Sequence, residues 1–132
     1  MASLAHFINN AQYIAYYPNM PSWISRETVY LAWLAVTSVG LVGIALSRFG
    51  LRFWGAVVLA AYGAFGLDGL AHYTLALCSE HTLAMNVTIW AEAGIGLLLA
   101  LCSAVFASRL LSPVPCARLA DAARQRGDCA RI

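Results

Sequence analysis

Three apolar runs, at residues 29–46, 53–77 and 82–107, take up most of this chain and are joined by short connections. Each is near the 20 or so residues that an α-helix needs to cross the hydrocarbon core of a bilayer. Backbone N–H and C=O groups in hydrocarbon find no water, so such runs must satisfy themselves as helices. The expected fold is therefore an all-α integral membrane protein with three transmembrane helices in a small bundle. Composition agrees: of the 132 residues 61% are hydrophobic and only 11% charged, where a soluble domain carries about 25% charged residues. The length leaves room for one membrane domain, residues 1–132, and no separate soluble one. All eight basic residues are arginine, and the net charge of +2 is too small and too confined to the ends for nucleic acid binding.

Residues 1–21 precede the first run. Their only titratable side chains are His6 and the tyrosines, and they lack the basic and apolar regions of a secretory signal. Leu4, Phe7, Ile8, Ala11, Ile14 and Ala15 recur at helical spacing with Asn9, Asn10 and Gln12 between them, which predicts a short amphipathic helix lying in the membrane interface. Pro18 and Pro21 end it. Ser22 or Ser25 is placed to cap the next helix, with Glu27 in its first turn.

Orientation follows from arginine placement. Arg48 and Arg52 flank the first connection, and Arg109, Arg118, Arg124, Arg126 and Arg131 follow the third run, whereas the connection CSEH at 78–81 has no basic residue. Basic residues near span ends mark the cytoplasmic side. The N-terminus is then outside and the tail at 108–132 cytoplasmic, in what is expected to be a bacterial cytoplasmic membrane. Within that tail 117–126 is helix-prone, with Asp121 near Arg118 and Arg124. The four cysteines, Cys78, Cys102, Cys116 and Cys129, form no CxxC pair or disulfide framework.

Chemistry concentrates between Gly63 and Glu92. Asp68, His72, His81, Asn86 and Glu92 lie inside or at the edge of the second and third runs. Ionisable groups in hydrocarbon are costly and mark functional sites. At 1.5 Å per residue, Asp68 and Glu92 each lie roughly 14–15 Å below the outer ends of their helices, on a common level. No arginine lies within a span to neutralise them, so at least one must be protonated, paired with a histidine, bound to a metal or matched by a partner. The expected packing brings Ala61, Asp68 and His72 of the second helix against Met85 and Glu92 of the third. The spacing of His81, Met85, Thr88 and Glu92 makes one stripe, and Gly63, Gly66 and Gly69 make a ridge for close approach.

The leading expectation is a ligand or metal site of Asp68, His72, Asn86 and Glu92, with His81 added where a metal is held. Imidazole and carboxylate donors suit zinc or iron, while Cys78, His81 and Met85 would suit copper. Haem could use His72, although no second histidine lies level with it. Alternatives are an accessory subunit whose polar face complements a partner in a larger complex, and proton or ion translocation by a homo-oligomer, whose inner half-path is missing because the third run below Glu92 is Gly, Leu, Ala, Cys and Ser. A lipid-modifying enzyme with Asp68 and Glu92 as acid and base is a further class. The sequon Asn86-Val87-Thr88 is inaccessible inside a span. The topology is tested by thiol labelling of intact cells: an impermeant reagent should modify Cys78 and spare Cys129, and the reverse pattern would overturn the orientation.

Overall fold

The computed structural model describes residues 2–17 and 19–112; the tail helix, Cys116, Cys129 and the Asp121 pairs lie outside the described residues. The fold is helical throughout these residues, with no strand among them. A short helix α1 (Ala2–Gln12) precedes α2 (Arg26–Arg48), α3 (Arg52–Phe65), α4 (His72–Leu75) and α5 (Leu83–Leu111). Three stretches are long and apolar enough to cross a membrane: Arg26–Arg48, Arg52–Leu75 and Leu83–Leu111.

Local chemistry sets the boundaries. Ser25 caps α2 in a reciprocal pair: its hydroxyl accepts from the Thr28 N–H at 3.3 Å, and the Thr28 hydroxyl accepts from the Ser25 N–H at 2.8 Å. Thr82 caps α5 by accepting from the Met85 N–H. Between α2 and α3 the chain reverses at Gly50, whose φ of +88° belongs to the left-handed region that glycine enters without penalty.

The second long stretch is not a continuous α-helix. Gly66–Ala71 between α3 and α4 is wound as a 3₁₀-helix, in which residues three apart eclipse one another. This changes the face presented to α5. Gly63, Gly66 and Gly69 are buried, while Ala61, Ala64, Asp68 and Ala71 are exposed. The expected contact through Ala61 and Asp68 is thus replaced by the glycine ridge. On α5 the expected residues do face inward: Met85, Ile89, Glu92, Ala93 and Gly96 are all buried.

The crossing of α3 and α5 is a backbone-to-backbone contact. A Cβ at Gly63 would stand 2.6 Å from Gly96 O and Ala100 N, and one at Gly96 would stand 2.6 Å from Gly63 O. Small residues at such a crossing let dispersion contacts hold two apolar helices that have no hydrophobic driving force between them. Gly40 and Gly43 of α2 similarly receive Tyr62 and Leu59. Cys102 of α5 is exposed.

Helix α1 packs against both α2 and α5. Its buried residues are His6, Asn10 and Ala11, so the side turned inward is largely polar. Arg26 fixes its end by donating from Nε to the Ala11 carbonyl at 3.1 Å, one of the acceptors a helix C-terminus leaves open. Asn19 donates to the Leu75 carbonyl at the end of α4.

The crossing yields a direct test. Gly63→Ala must push the α3 and α5 backbones apart and should cost about 1–3 kcal/mol, the usual penalty of overpacking. Gly94, two residues before Gly96 and on the opposite side of α5, has nothing within 4 Å of an added Cβ, so Gly94→Ala should change stability by less than about 1 kcal/mol in either direction. Thermal unfolding of the two variants in detergent micelles should separate them, and equal melting temperatures would refute the crossing.

Candidate functional site

The stripe of α5 gives the site its wall. Thr88 and Glu92, one turn apart, both face the imidazole of His6. His6 Nδ1 lies 3.5 Å from Thr88 Oγ1, and His6 Nε2 lies 3.5 Å from Glu92 Oε2. His6 is 2% exposed and Glu92 5%, so both are as enclosed as core residues. Gly69 closes the third side: a Cβ there would stand 3.5 Å from His6 Nε2 and 3.7 Å from Glu92 Oε2. The 3₁₀ winding brings this glycine, rather than the Asp68 side chain, directly over the pair.

One turn along α1, Asn10 links two histidines. Its Nδ2 is 3.1 Å from His6 Nε2 and 3.3 Å from His72 Nε2. With the amide donating both hydrogens, both ring nitrogens are acceptors and each imidazole carries its proton on Nδ1, an assignment read from the network. The His6 proton then points at Thr88, and His6 Nε2 meets Glu92 as one acceptor meeting another. That is why 3.5 Å between them does not amount to a hydrogen bond. Burial, with His72 adding to it, lowers the His6 pKa from 6.5 to about 4. The contact is accordingly not an ion pair, because desolvation outweighs the attraction of the carboxyl.

Outward from Asn10 the rings continue in file. Tyr17 packs on His72 with centroids 4.9 Å apart and on His81 at 6.0 Å, and His72 and His81 are 6.3 Å apart. The Tyr17 hydroxyl donates to Asn9 Oδ1 at 2.9 Å. His81 is buried, with Nδ1 3.0 Å from the Leu77 carbonyl. Asn86 belongs to this outer end: it accepts from the Tyr73 hydroxyl at 2.7 Å and donates to the Cys78 carbonyl, tying the 78–81 connection to α5.

A cavity of about 120 Å³ lies at the centre, lined by His6, Asn10, Asp68, Gly69, His72 and Glu92 with Phe7, Val36 and Phe65. Of the residues expected at the site, Asp68, His72 and Glu92 meet here. Asp68 is exposed at the cavity's edge, His72 half-buried and Glu92 buried. His81 and Asn86 stand apart from it. Sequence reasoning missed His6 and Asn10; their i, i+4 spacing on a short helix was the available signal.

Among the described residues no three His, Cys, Asp or Glu side chains converge as metal ligands. His72 Nε2 is engaged by Asn10, Tyr17 stands against both His72 and His81, and Cys78 is directed to Asn86 Oδ1 at 3.3 Å. What converges instead is acceptors. Asn10 Oδ1 and Glu92 Oε2 are buried with no hydrogen-bond partner, while the His6 Nε2 lone pair is taken by the Asn10 amide. Comparison of the chain with protein-family models, with characterised proteins and with solved structures finds no significant match.

The state of His6 is testable through its linkage to stability. A proton that the unfolded chain binds near pH 6.5 and the folded chain refuses until about pH 4 makes stability rise with pH between those values. The contribution is whole above pH 6.5 and is lost as the pH falls towards 4. ¹⁵N spectra of labelled imidazole should show His6 neutral at pH 5.5, and a His6→Phe variant should lose this acid sensitivity. Titration of His6 at or above pH 6.5 would show that a charged pair with Glu92 forms after all.

Proposed function

We propose that this is a small integral membrane protein whose outer half holds a binding site for a ligand that donates hydrogen bonds. The observation that carries the reading is the surplus of acceptors around the central cavity. A buried polar group without a partner costs about 1–3 kcal/mol, and the two residues that carry such oxygens, Asn10 and Glu92, both line a space of about 120 Å³. Sites that are costly in the empty protein and satisfied by a ligand are the usual form of a binding site. The three apolar helices fit a membrane location, and the arginine distribution supports an outside N-terminus, which sets the His81 end of the ring file towards the outer face.

Two further readings have different support. In proton translocation the file of His81, Tyr17, His72, Asn10 and His6 would serve as an outer half-path to Glu92. Past Glu92 a space of about 80 Å³ continues along Gly63, Gly66 and Gly96 to Tyr62 and Leu99 with no acid, histidine or arginine to take the proton further, so that role needs an oligomer. In an accessory subunit, exposed Asp68 would face a partner's cation.

Replacement of Glu92 by methionine distinguishes a binding site from structural glue. If the carboxyl is held for a ligand, the empty Glu92→Met protein should melt at the same temperature as the native chain or higher, since an unsatisfied acceptor has been removed. Propylammonium should raise the melting temperature of the native protein and leave that of the variant unchanged. A fall of about 2 kcal/mol or more in the stability of Glu92→Met, with no response to propylammonium in either protein, would mean that the cluster only holds helices together.

A further inference from the structure

The acceptor-lined cavity has an apolar neighbour. A second cavity of about 230 Å³ lies between α1, the 20–24 connection and α2, lined chiefly by Phe7, Ile14, Met20, Trp23, Ile24 and Val29. Asn10 and His72 line both spaces, as does Phe7. The two cavities therefore share a wall made of the same polar residues that bound the smaller one. One end is small and rich in acceptors; the other is larger and almost wholly hydrocarbon.

We infer that the ligand is an amphiphile, a single hydrocarbon chain or compact apolar body ending in an ammonium group, whose head enters the acceptor cavity while its apolar part fills the neighbouring one. This inference rests on the binding-site reading and adds the ligand class. The head must donate, because Asn10 Oδ1 and Glu92 Oε2 are acceptors without a partner. It is cationic because Asp68 and Glu92 line the cavity and no arginine does. The nearest arginine along α2, Arg26, is engaged with the Ala11 carbonyl. Phosphate and carboxylate heads would meet two carboxyl groups and no donor except an amide already committed to two imidazoles. An ammonium supplies three donors at one point, enough for the two unpartnered oxygens of Asn10 and Glu92 and for Asp68 at the cavity's edge. The apolar part has no polar group to satisfy along Ile14, Met20, Ile24 and Val29, so a second head group would be buried unpaired.

The experiment compares dodecylammonium, dodecanol, dodecanoate and propylammonium on the purified full chain in nanodiscs of zwitterionic lipid. Binding is followed by the melting temperature and by Trp23 fluorescence in a chain whose other tryptophans are replaced by phenylalanine. Dodecylammonium should bind at least tenfold more tightly than propylammonium, and at least tenfold more tightly than dodecanol or dodecanoate at equal concentration in the bilayer. Ile14→Trp, and independently Val29→Phe, should fill the apolar cavity and weaken dodecylammonium tenfold or more while leaving propylammonium unchanged. Glu92→Gln should weaken both amines.

The outcomes separate the two levels of the argument. Propylammonium binding that neither a longer chain nor a filled groove alters leaves the site standing and overturns the amphiphile. Dodecanol or dodecanoate binding as tightly as dodecylammonium overturns the cationic head. Absence of binding by either amine, with Glu92→Met destabilised, overturns the site itself.

Discussion

A carboxyl group in the middle of an apolar helix is costly to enclose, and in this protein it is enclosed, without a hydrogen bond, by the polar side of a helix from the far end of the chain. Glu92 lies two turns below the Met85 end of α5, with no arginine beside it. His6 of α1 stands against it, so the N-terminal helix is built into the bundle by its polar side. That arrangement explains several other features. Asn10 must also be buried, one turn along, and reaches His72. Arg26 must anchor the end of α1, and Tyr17 covers the outer edge of the ring cluster. Without Glu92 and Thr88 as an address, a helix with His6, Asn9 and Asn10 would present those residues to water.

The 3₁₀ segment Gly66–Ala71 is the second constraint, and it serves the first. An α-helix continued from Phe65 would carry Gly69 about 60° away from the line of Gly63 and Gly66. Three residues per turn keep the three glycines in one row, and Gly69 then lies over His6 and Glu92 without a side chain in the way. The same winding turns Asp68 outward to the rim. One local change of helical pitch thus makes both the close crossing with α5 and the open space beside it.

The long helices were legible because composition and length alone dictate them, and the caps at Ser25 and Thr82 sit where side-chain chemistry demands. Glu92 and His72 were legible as costly groups that needed partners. His6 and Asn10 were not, because a short helix with apolar residues at helical spacing reads as one whose polar side faces water. Which side is buried depended on an unpaired acid 86 residues away, a long-range fact with no local pattern. The face of the second long stretch was misjudged for a related reason. Counting at 3.6 residues per turn groups Ala61, Ala64, Asp68 and Ala71, whereas the glycine spacing of three was itself the mark of the tighter winding. Asp68 and Glu92 do line one cavity, which counting residues from the ends of the two stretches suggested.

The remaining question of chemistry is why a bundle this small keeps buried acceptors without donors. Structural polar networks usually close on themselves, since every unfilled oxygen works against the fold. Here Thr88, His6, Asn10 and His72 are joined, yet the network ends in open acceptors on the side of the cavity. Below Glu92 a smaller space of about 80 Å³ runs along Gly63, Gly66 and Gly96 to Tyr62 and Leu99, and no acid, histidine or arginine lines it beyond Glu92 itself. The apolar cavity beside Phe7 and Asn10 leads instead towards Trp23 and the connection before α2. Helix α1 forms the wall between the polar and the apolar space through Phe7 and Asn10, so the burial of the open acceptors and the shape of the apolar cavity both depend on how its polar side is packed.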